Sequence, residues 1–271
     1  MIVLSKYFQQ RWKDIDVFET LQTLKGKVYR EKDGRKTFRT TIDGKNYFIK
    51  LYLGIGWKKL IKSIARFRLP VLSAQNEWKA IQQLEALKIE TMQLVGYGKQ
   101  GLSPAHRQSF VITDELSSTQ SLENFCQNWA STPPDNTLKR ALITKVARIA
   151  RKLHDKGMIH RDFYICHFLF DISVKREKAH HHDLHLYLID LHRMRKQYCF
   201  QRRRKIKDIA ALYFSSMDIG LTQRDILRFI RIYQNKPLRS ALHKKSFWRR
   251  VNRRAISLYC KANSHKPSSV F

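Results

Sequence analysis

The segment Gly157-Met158-Ile159-His160-Arg161-Asp162-Phe163-Tyr164-Ile165-Cys166-His167-Phe168-Leu169-Phe170-Asp171 decides the reading of this chain. Upstream of it Leu138, Leu142, Val146, Ile149 and Leu153 recur at helical spacing, and Gly157 supplies the C-terminal cap of that helix. Downstream, the apolar run from Phe168 has strand character. A His, an Arg and an Asp therefore fall on a short loop between a helix and a strand, where a rigid frame can hold reactive side chains. Three letters recur by chance in a basic chain, so the weight falls on what surrounds them.

Towards the N-terminus the pattern from Phe18 to Leu53 is β. Asp33-Gly34 and Asp43-Gly44 are hairpin turns, and they separate strands over 24–30, 37–42 and 46–53. Gly54 and Gly56 end the strands, and a basic amphipathic helix follows over 57–68. Trp57, Leu60, Ile61, Ile64 and Phe67 share one face of it, and Lys58, Lys59, Lys62 and Arg66 lie elsewhere. Such a helix either packs on the sheet or lies on a membrane surface. Pro70 stops it. Ser73 caps a helix running to Leu87, with Glu77 in its second turn and Trp78, Ile81 and Leu84 inward. Strands over 91–97 and 109–113 lead to Asp114-Glu115-Leu116, and a short helix covers 117–125.

Beyond the opening segment, strands over 168–174 and 184–189 form a hairpin joined by 175–183. Helices follow over 208–217, 222–233 and 246–261, and Thr222 with Asp225 forms a capping pair. The fold class is α+β with two lobes: a strand-rich N-lobe over 1–114 and a helical C-lobe over 115–271.

The 43% of hydrophobic residues suffices for a full core in 271 residues, which excludes a disordered chain. The 53 Lys and Arg against 22 Asp and Glu give +31, which calls for anionic partners: nucleic acid, an acidic membrane surface or a polyanionic substrate. Cys126, Cys166, Cys199 and Cys260 are widely spaced with no CxxC, so neither a zinc site nor a disulfide framework is expected. The apolar run at Met1–Leu4 is too short for a signal-peptide core, and no stretch reaches the roughly 18 apolar residues of a membrane span. The expectation is a soluble protein with reduced, cytoplasmic-type thiols, one that can lie on a membrane surface.

Phosphoryl transfer needs positioning and charge neutralisation more than covalent chemistry. A kinase-like site requires a strand Lys for the α- and β-phosphates, a helix Glu to hold it, a loop Asp facing the acceptor hydroxyl, and an Asp for Mg²⁺. Candidates occur here in that order. Lys50 ends Tyr47-Phe48-Ile49-Lys50, Glu77 lies on the next capped helix, Asp162 is in the loop, and Asp190 closes Leu186-Tyr187-Leu188-Ile189-Asp190. Each residue alone has an ordinary use: a strand-end Lys, a solvated Glu, a turn Asp. Their joint order is what carries the reading.

The run from His160 to Leu169 resembles the catalytic loop of the bacterial lipopolysaccharide core kinases, within them that of the heptose kinases. Lys205-Ile206-Lys207-Asp208-Ile209-Ala210-Ala211-Leu212-Tyr213-Phe214-Ser215-Ser216 is also similar to that family, and the resemblance extends from about residue 18 to 259. It implies a protein-kinase-like fold, ATP and Mg²⁺ as cofactors, and a hydroxyl of the first heptose of the lipopolysaccharide inner core as acceptor. A kinase of the neighbouring inner-core sugar Kdo and a non-catalytic polyanion-binding module are the alternatives. In this frame Asp162 orients and deprotonates the hydroxyl, and Asp190 holds Mg²⁺. Lys50 binds phosphate, Glu77 positions Lys50, and the backbone of Asp114, Glu115 and Leu116 meets adenine. Asp208, at the start of a helix, braces the loop through backbone N–H groups.

Departures from ordinary protein kinases qualify the pattern. No GxGxxG occurs in the first hairpin. His167 stands where an Asn would face the metal, so it is expected to meet phosphate or Asp190 instead. Asp190 is followed by Leu191-His192, with no Ala-Pro-Glu beyond, which argues against a protein substrate. Arg161, Arg193, Arg195, Arg202 and Arg203 are the candidate acceptor-binding residues, since guanidinium forks suit carboxylates and phosphates. Arg249, Arg250, Arg253 and Arg254 can serve the same surface. The charge also suits an acidic carrier protein, and no nucleic-acid partner is expected. His180-His181-His182 reads as an exposed turn in preference to a metal tract.

Overall fold

The computed structural model describes residues 1–65, 71–173, 184–242, 245–265 and 267. These form two compact units. The first holds 1–83, 92–117 and 191–193, and the second holds 84–91, 118–190 and 194–271.

The first unit is built on strands β1 (Ile2–Leu4), β2 (Lys27–Lys32), β3 (Arg35–Ile42), β4 (Lys45–Tyr52), β5 (Leu94–Gln100) and β6 (Gln108–Asp114). They make one antiparallel sheet in the order β1-β5-β6-β4-β3-β2. At both hairpins the Asp and Gly have positive φ, Asp33 (52°) with Gly34 (71°) and Asp43 (47°) with Gly44 (76°). That is the primed turn whose twist matches the strands it joins.

Helices α1 (Lys6–Arg11) and α2 (Val17–Thr23) cover one face of the sheet. Phe8, Phe18 and Leu21 meet Tyr47, Ile49, Leu51 and Phe110 there. A β reading from Phe18 is therefore corrected. Asp16 accepts N–H bonds from Phe18 (2.7 Å) and Glu19 (3.2 Å), and this cap starts a helix where apolar content alone reads as strand.

α3 (Gly56–Ala65) begins after the glycines as expected. Its apolar face is split: Leu60 is buried, but Trp57 and Ile61 are 52% and 61% exposed. Residues 66–68 and Pro70, assigned to the end of this helix, lie outside the described residues. α4 (Gln75–Ala86) starts where Ser73 Oγ accepts the N–H of Gln75 (3.1 Å), which puts Glu77 in the first turn, not the second. Ile81 and Leu84 are buried, and half-buried Trp78 stacks on Tyr97.

The second unit contains β7 (Thr119–Ser121), α5 (Leu122–Cys126), α6 (Asn136–Asp155), β8 (Met158–Ile159), β9 (Phe168–Asp171), β10 (Leu186–Leu188), β11 (Arg195–Lys196), α7 (Gln201–Ser215), α8 (Gln223–Gln234), α9 (Leu238–Leu242) and α10 (Lys245–Asn263). The short helix expected from 117 starts at Leu122, because Thr119–Ser121 pairs with β9 and Ser121 then caps α5. β10, β9 and β7 form a sheet, and β8 pairs with β11. The connection between β9 and β10, with the His180-His181-His182 run, lies outside the described residues.

Gly157 closes α6 with φ +70° and donates its N–H to His154 O (3.2 Å). A Cβ there would meet Gln197 O at 3.1 Å, so the position suits glycine on both counts. Thr222 and Asp225 form the reciprocal capping box of α8. α7 begins at Gln201, which places Asp208 in its middle and not at its start. Leu122, Cys126, Trp129, Leu142, Phe229 and Trp248 are among the residues lining an apolar cavity of about 110 Å³ in this unit.

Candidate active site

In β4, Tyr47, Ile49 and Leu51 alternate into the core beneath α1 and α2, so Lys50 points to the other face of the sheet. There its Nζ donates to Glu77 Oε1 at 2.5 Å. Glu77 is 1% exposed and its Oε2 has no hydrogen-bond partner among the described residues. A carboxylate so buried requires the ammonium beside it. Asp114 and Glu115 use their side chains within the same unit. Lys45 Nζ donates to Asp114 Oδ2 (2.9 Å), and Arg39 donates to both oxygens of Glu115 (2.5 and 3.0 Å). Glu115 N–H donates to Asn46 O (3.1 Å), which fixes the backbone leading to Leu116.

In the second unit the loop after α6 is held from beneath by buried Asp208. Its Oδ2 accepts the N–H of His160 (2.8 Å) and lies 3.3 Å from His154 Nε2, while Oδ1 accepts the N–H of Arg161 (3.0 Å). His154 in turn meets Tyr233 OH through Nδ1 (2.8 Å). These bonds hold Arg161 at φ +76°, a conformation costly for a side-chain-bearing residue and kept only where surroundings enforce it. Asp190 also has a positive φ, +58°.

The loop and the Asp190 segment are stitched together. Ile189 N–H donates to His167 O (3.0 Å), and His160 Nε2–H donates to Ile189 O (3.0 Å). Burial pushes the His160 pKa below the usual imidazole value, so the ring is neutral with its proton on Nε2. His167 Nδ1–H donates to Asp162 O (2.6 Å). Its Nε2 lies 3.6 Å from Asp190 Oδ2, so His167 faces Asp190 without a direct hydrogen bond. Asp162, His167 and Asp190 are thus gathered on one bonded frame. Cys166 is no nucleophile, since burial pushes its thiol up to about 11.

Arg193, Arg195, Arg202 and Arg203 are exposed and Arg161 is half-buried; Arg202 donates to Ser246 Oγ (2.6 Å). Arg161 and Arg203 lie, with Arg204 and Arg254, around Lys207, whose pKa is lowered first by burial and then by these neighbouring cations. The reading from sequence gave no part to His154, Tyr233 or Lys207. For His154 a signal existed: it lies one helical turn before the capping Gly157, on the apolar face of α6.

Lys50 and Glu77 thus meet in the first unit, and Asp162, His167 and Asp190 are gathered in the second. A profile of the lipopolysaccharide kinase (Kdo/WaaP) family matches residues 19–233. The chain is 45% identical over 263 residues to the lipopolysaccharide core heptose(I) kinase WaaP of Pseudomonas aeruginosa, covering 95% of this chain and 96% of that protein. To the protein of the same name from Escherichia coli it is 43% identical over 242 residues, covering 89% and 90%. The solved structure described as WaaP in complex with acyl carrier protein has a TM-score of 0.82 and 41% identity, covering 96% of this chain and 99% of that one. The chain belongs to the lipopolysaccharide kinase (Kdo/WaaP) family. It has the α+β, kinase-like fold and is a phosphotransferase with an alcohol group as acceptor, a class that uses ATP.

Proposed function

We propose that this enzyme transfers the γ-phosphoryl group of ATP to a hydroxyl of the first heptose of the lipopolysaccharide inner core. The observation that carries the reading is the frame on which Asp208 braces the His160–Asp162 loop and His160 ties that loop to the Asp190 segment. The names of the relatives support heptose as the acceptor. Asp162 accepts the hydroxyl proton as the new O–P bond forms and the bond from the γ-phosphorus to the bridging oxygen breaks, releasing ADP; Lys50 contacts phosphate oxygens with Glu77 holding it in place, and the 114–116 backbone receives adenine.

Mg²⁺ fits the residues present. It binds through one or two carboxylates plus phosphate oxygens and water, and Asp190 presents a hard oxygen donor beside the loop. When bound, the ion neutralises charge on the β- and γ-phosphates. His167 donates through Nδ1 to the Asp162 backbone carbonyl and accepts the Ile189 N–H on its own carbonyl, which links the two segments that carry Asp162 and Asp190.

Two partners follow from charge. No described helix is long and apolar enough to cross a membrane. Exposed Trp57 and Ile61 on α3, beside Lys58, Lys59 and Lys62, suit peripheral contact with an anionic inner-membrane surface. Weaker flotation of Trp57→Ala with anionic vesicles is the expected sign, and unchanged flotation would remove α3 from that role. The second partner is an acidic carrier protein, supported by the net charge of +31 and by the complex in which the structural relative was solved. An acyl chain suits the chemistry of the apolar cavity. The acceptor assignment is tested with inner cores of graded length: transfer should stop when the first heptose is removed, and transfer that persists would move the acceptor to Kdo.

A further inference from the structure

We propose that Arg203, Arg204 and Lys207 of α7, with Arg254 of α10, form beside Arg161 a receiving site for oxyanion groups, phosphate or carboxylate, of the acceptor glycolipid. The proposal rests on the kinase reading above and specifies how its acceptor is held. α7 packs directly on α10, which brings Arg254 to the α7 cations. Arg203 and Lys207 stand four residues apart on one helix, and Arg204 and Lys207 three, spacings at which like charges destabilise a helix.

No carboxylate among the described residues pairs with any of these four side chains. Arg204 Nε is buried there without a hydrogen-bond partner. Asp208 follows Lys207 directly, yet both its oxygens are committed to the backbone of the loop and to His154. The Lys207 pKa is lowered first by burial and then by Arg254, Arg203, Arg204 and Arg161, so four cations lie around this ammonium. Unrelieved repulsion of this kind is retained where an anion arrives to relieve it. Guanidinium forks match phosphate and carboxylate oxygens in pairs.

The place of the cluster gives it a use. Asp208 joins α7 to the backbone of Arg161, and Asp162 is the next residue. An anionic group seated on α7 and α10 is thereby set at a fixed distance from the loop that meets the acceptor hydroxyl. The helical cluster, rather than Arg195 or Arg202, is the acceptor's anchor.

The test measures transfer kinetics for Arg254→Ala and Lys207→Ala against intact acceptor, acceptor stripped of its lipid phosphates, and acceptor with esterified carboxylates. The acceptor KM should rise at least about tenfold, equivalent to 1.4 kcal/mol, with the ATP KM unchanged. Lys207→Arg should restore it. The thermal midpoint should hold or rise, which a merely structural role would not give. The modified acceptor on which the variants lose nothing further identifies the anion that is read. An unchanged acceptor KM, or a rise confined to ATP, overturns the proposal.

A second arm needs no turnover and so separates this proposal from the kinase reading. With a non-hydrolysable ATP analogue saturating, inorganic pyrophosphate should stabilise the wild-type chain and not Arg254→Ala. Equal stabilisation of both would overturn the anion site even if no acceptor were ever phosphorylated.

Discussion

Two faces of the molecule treat their cations in opposite ways. In the sheet unit Arg11, Arg39, Lys45 and Lys50 each reach a carboxylate, those of Asp43, Glu115, Asp114 and Glu77. On the α7–α10 face Arg203, Arg204, Lys207 and Arg254 reach none among the described residues. The first arrangement closes on itself and fixes side chains in place. The second leaves charge for a ligand to meet. The same residue types thus serve position on one face and, in the proposal above, reception on the other; the second unit itself also pairs Lys139 with Asp225 and Lys145 with Glu90, so the difference lies in the neighbouring carboxylates and not in the count of charges.

The comparison is sharpened most by separating activity from stability. Asp162→Ala should lower transfer by at least the roughly 10²–10⁴-fold typical of a lost general base, with an unchanged unfolding midpoint. Near wild-type turnover would remove Asp162 from the chemistry. Lys50→Met should cost both properties. It strands the buried Glu77 carboxylate, and breaking such a pair costs about 3–5 kcal/mol, readable by denaturant unfolding. Lys50→Met with full stability would mean that the pair is not a closed unit.

The loop brace predicts a pH effect. Folded His160 has a depressed pKa, whereas the unfolded ring protonates near its ordinary value of about 6.5. Below that pH the unfolded state binds more protons, so stability should fall as pH falls, by up to about 1.4 kcal/mol per unit. His160→Asn should flatten this dependence between about pH 6.5 and 5. An unaltered slope would show that burial of His160 is not its source. The smallest effect belongs to the unneutralised face: Arg254→Ala should gain about 0.2–0.5 kcal/mol of stability from relieved repulsion, and a loss of that size would make the cluster structural.

How far the sequence was legible follows from where the information lies. Asp33-Gly34 and Asp43-Gly44 announce their turns because a positive φ at two successive positions admits few residues. The α6 stripe, the Gly157 cap and the Thr222 box are equally local. The N-terminal β1, α1 and α2 were not read, because β1 is a three-residue strand whose register is set by distant β5, and α2 is decided by the Asp16 cap. The order Lys50, Glu77, Asp162, Asp190 was readable, and so was a brace by Asp208, since each follows a chain pattern. What no spacing displays is which cations lack a carboxylate. That required α10 to be laid against α7, which brings Lys207 among Arg203, Arg204 and Arg254 and motivates the proposed anion site.

The most direct measurement is transfer of labelled phosphate from ATP, with Mg²⁺, to purified unphosphorylated inner core ending at the first heptose, by the wild-type chain and by Asp162→Ala. The account predicts label on the heptose with the wild type and its loss in the folded variant. Label on heptose that survives Asp162→Ala, or ATP binding by the wild type with no label on any inner core, would contradict it.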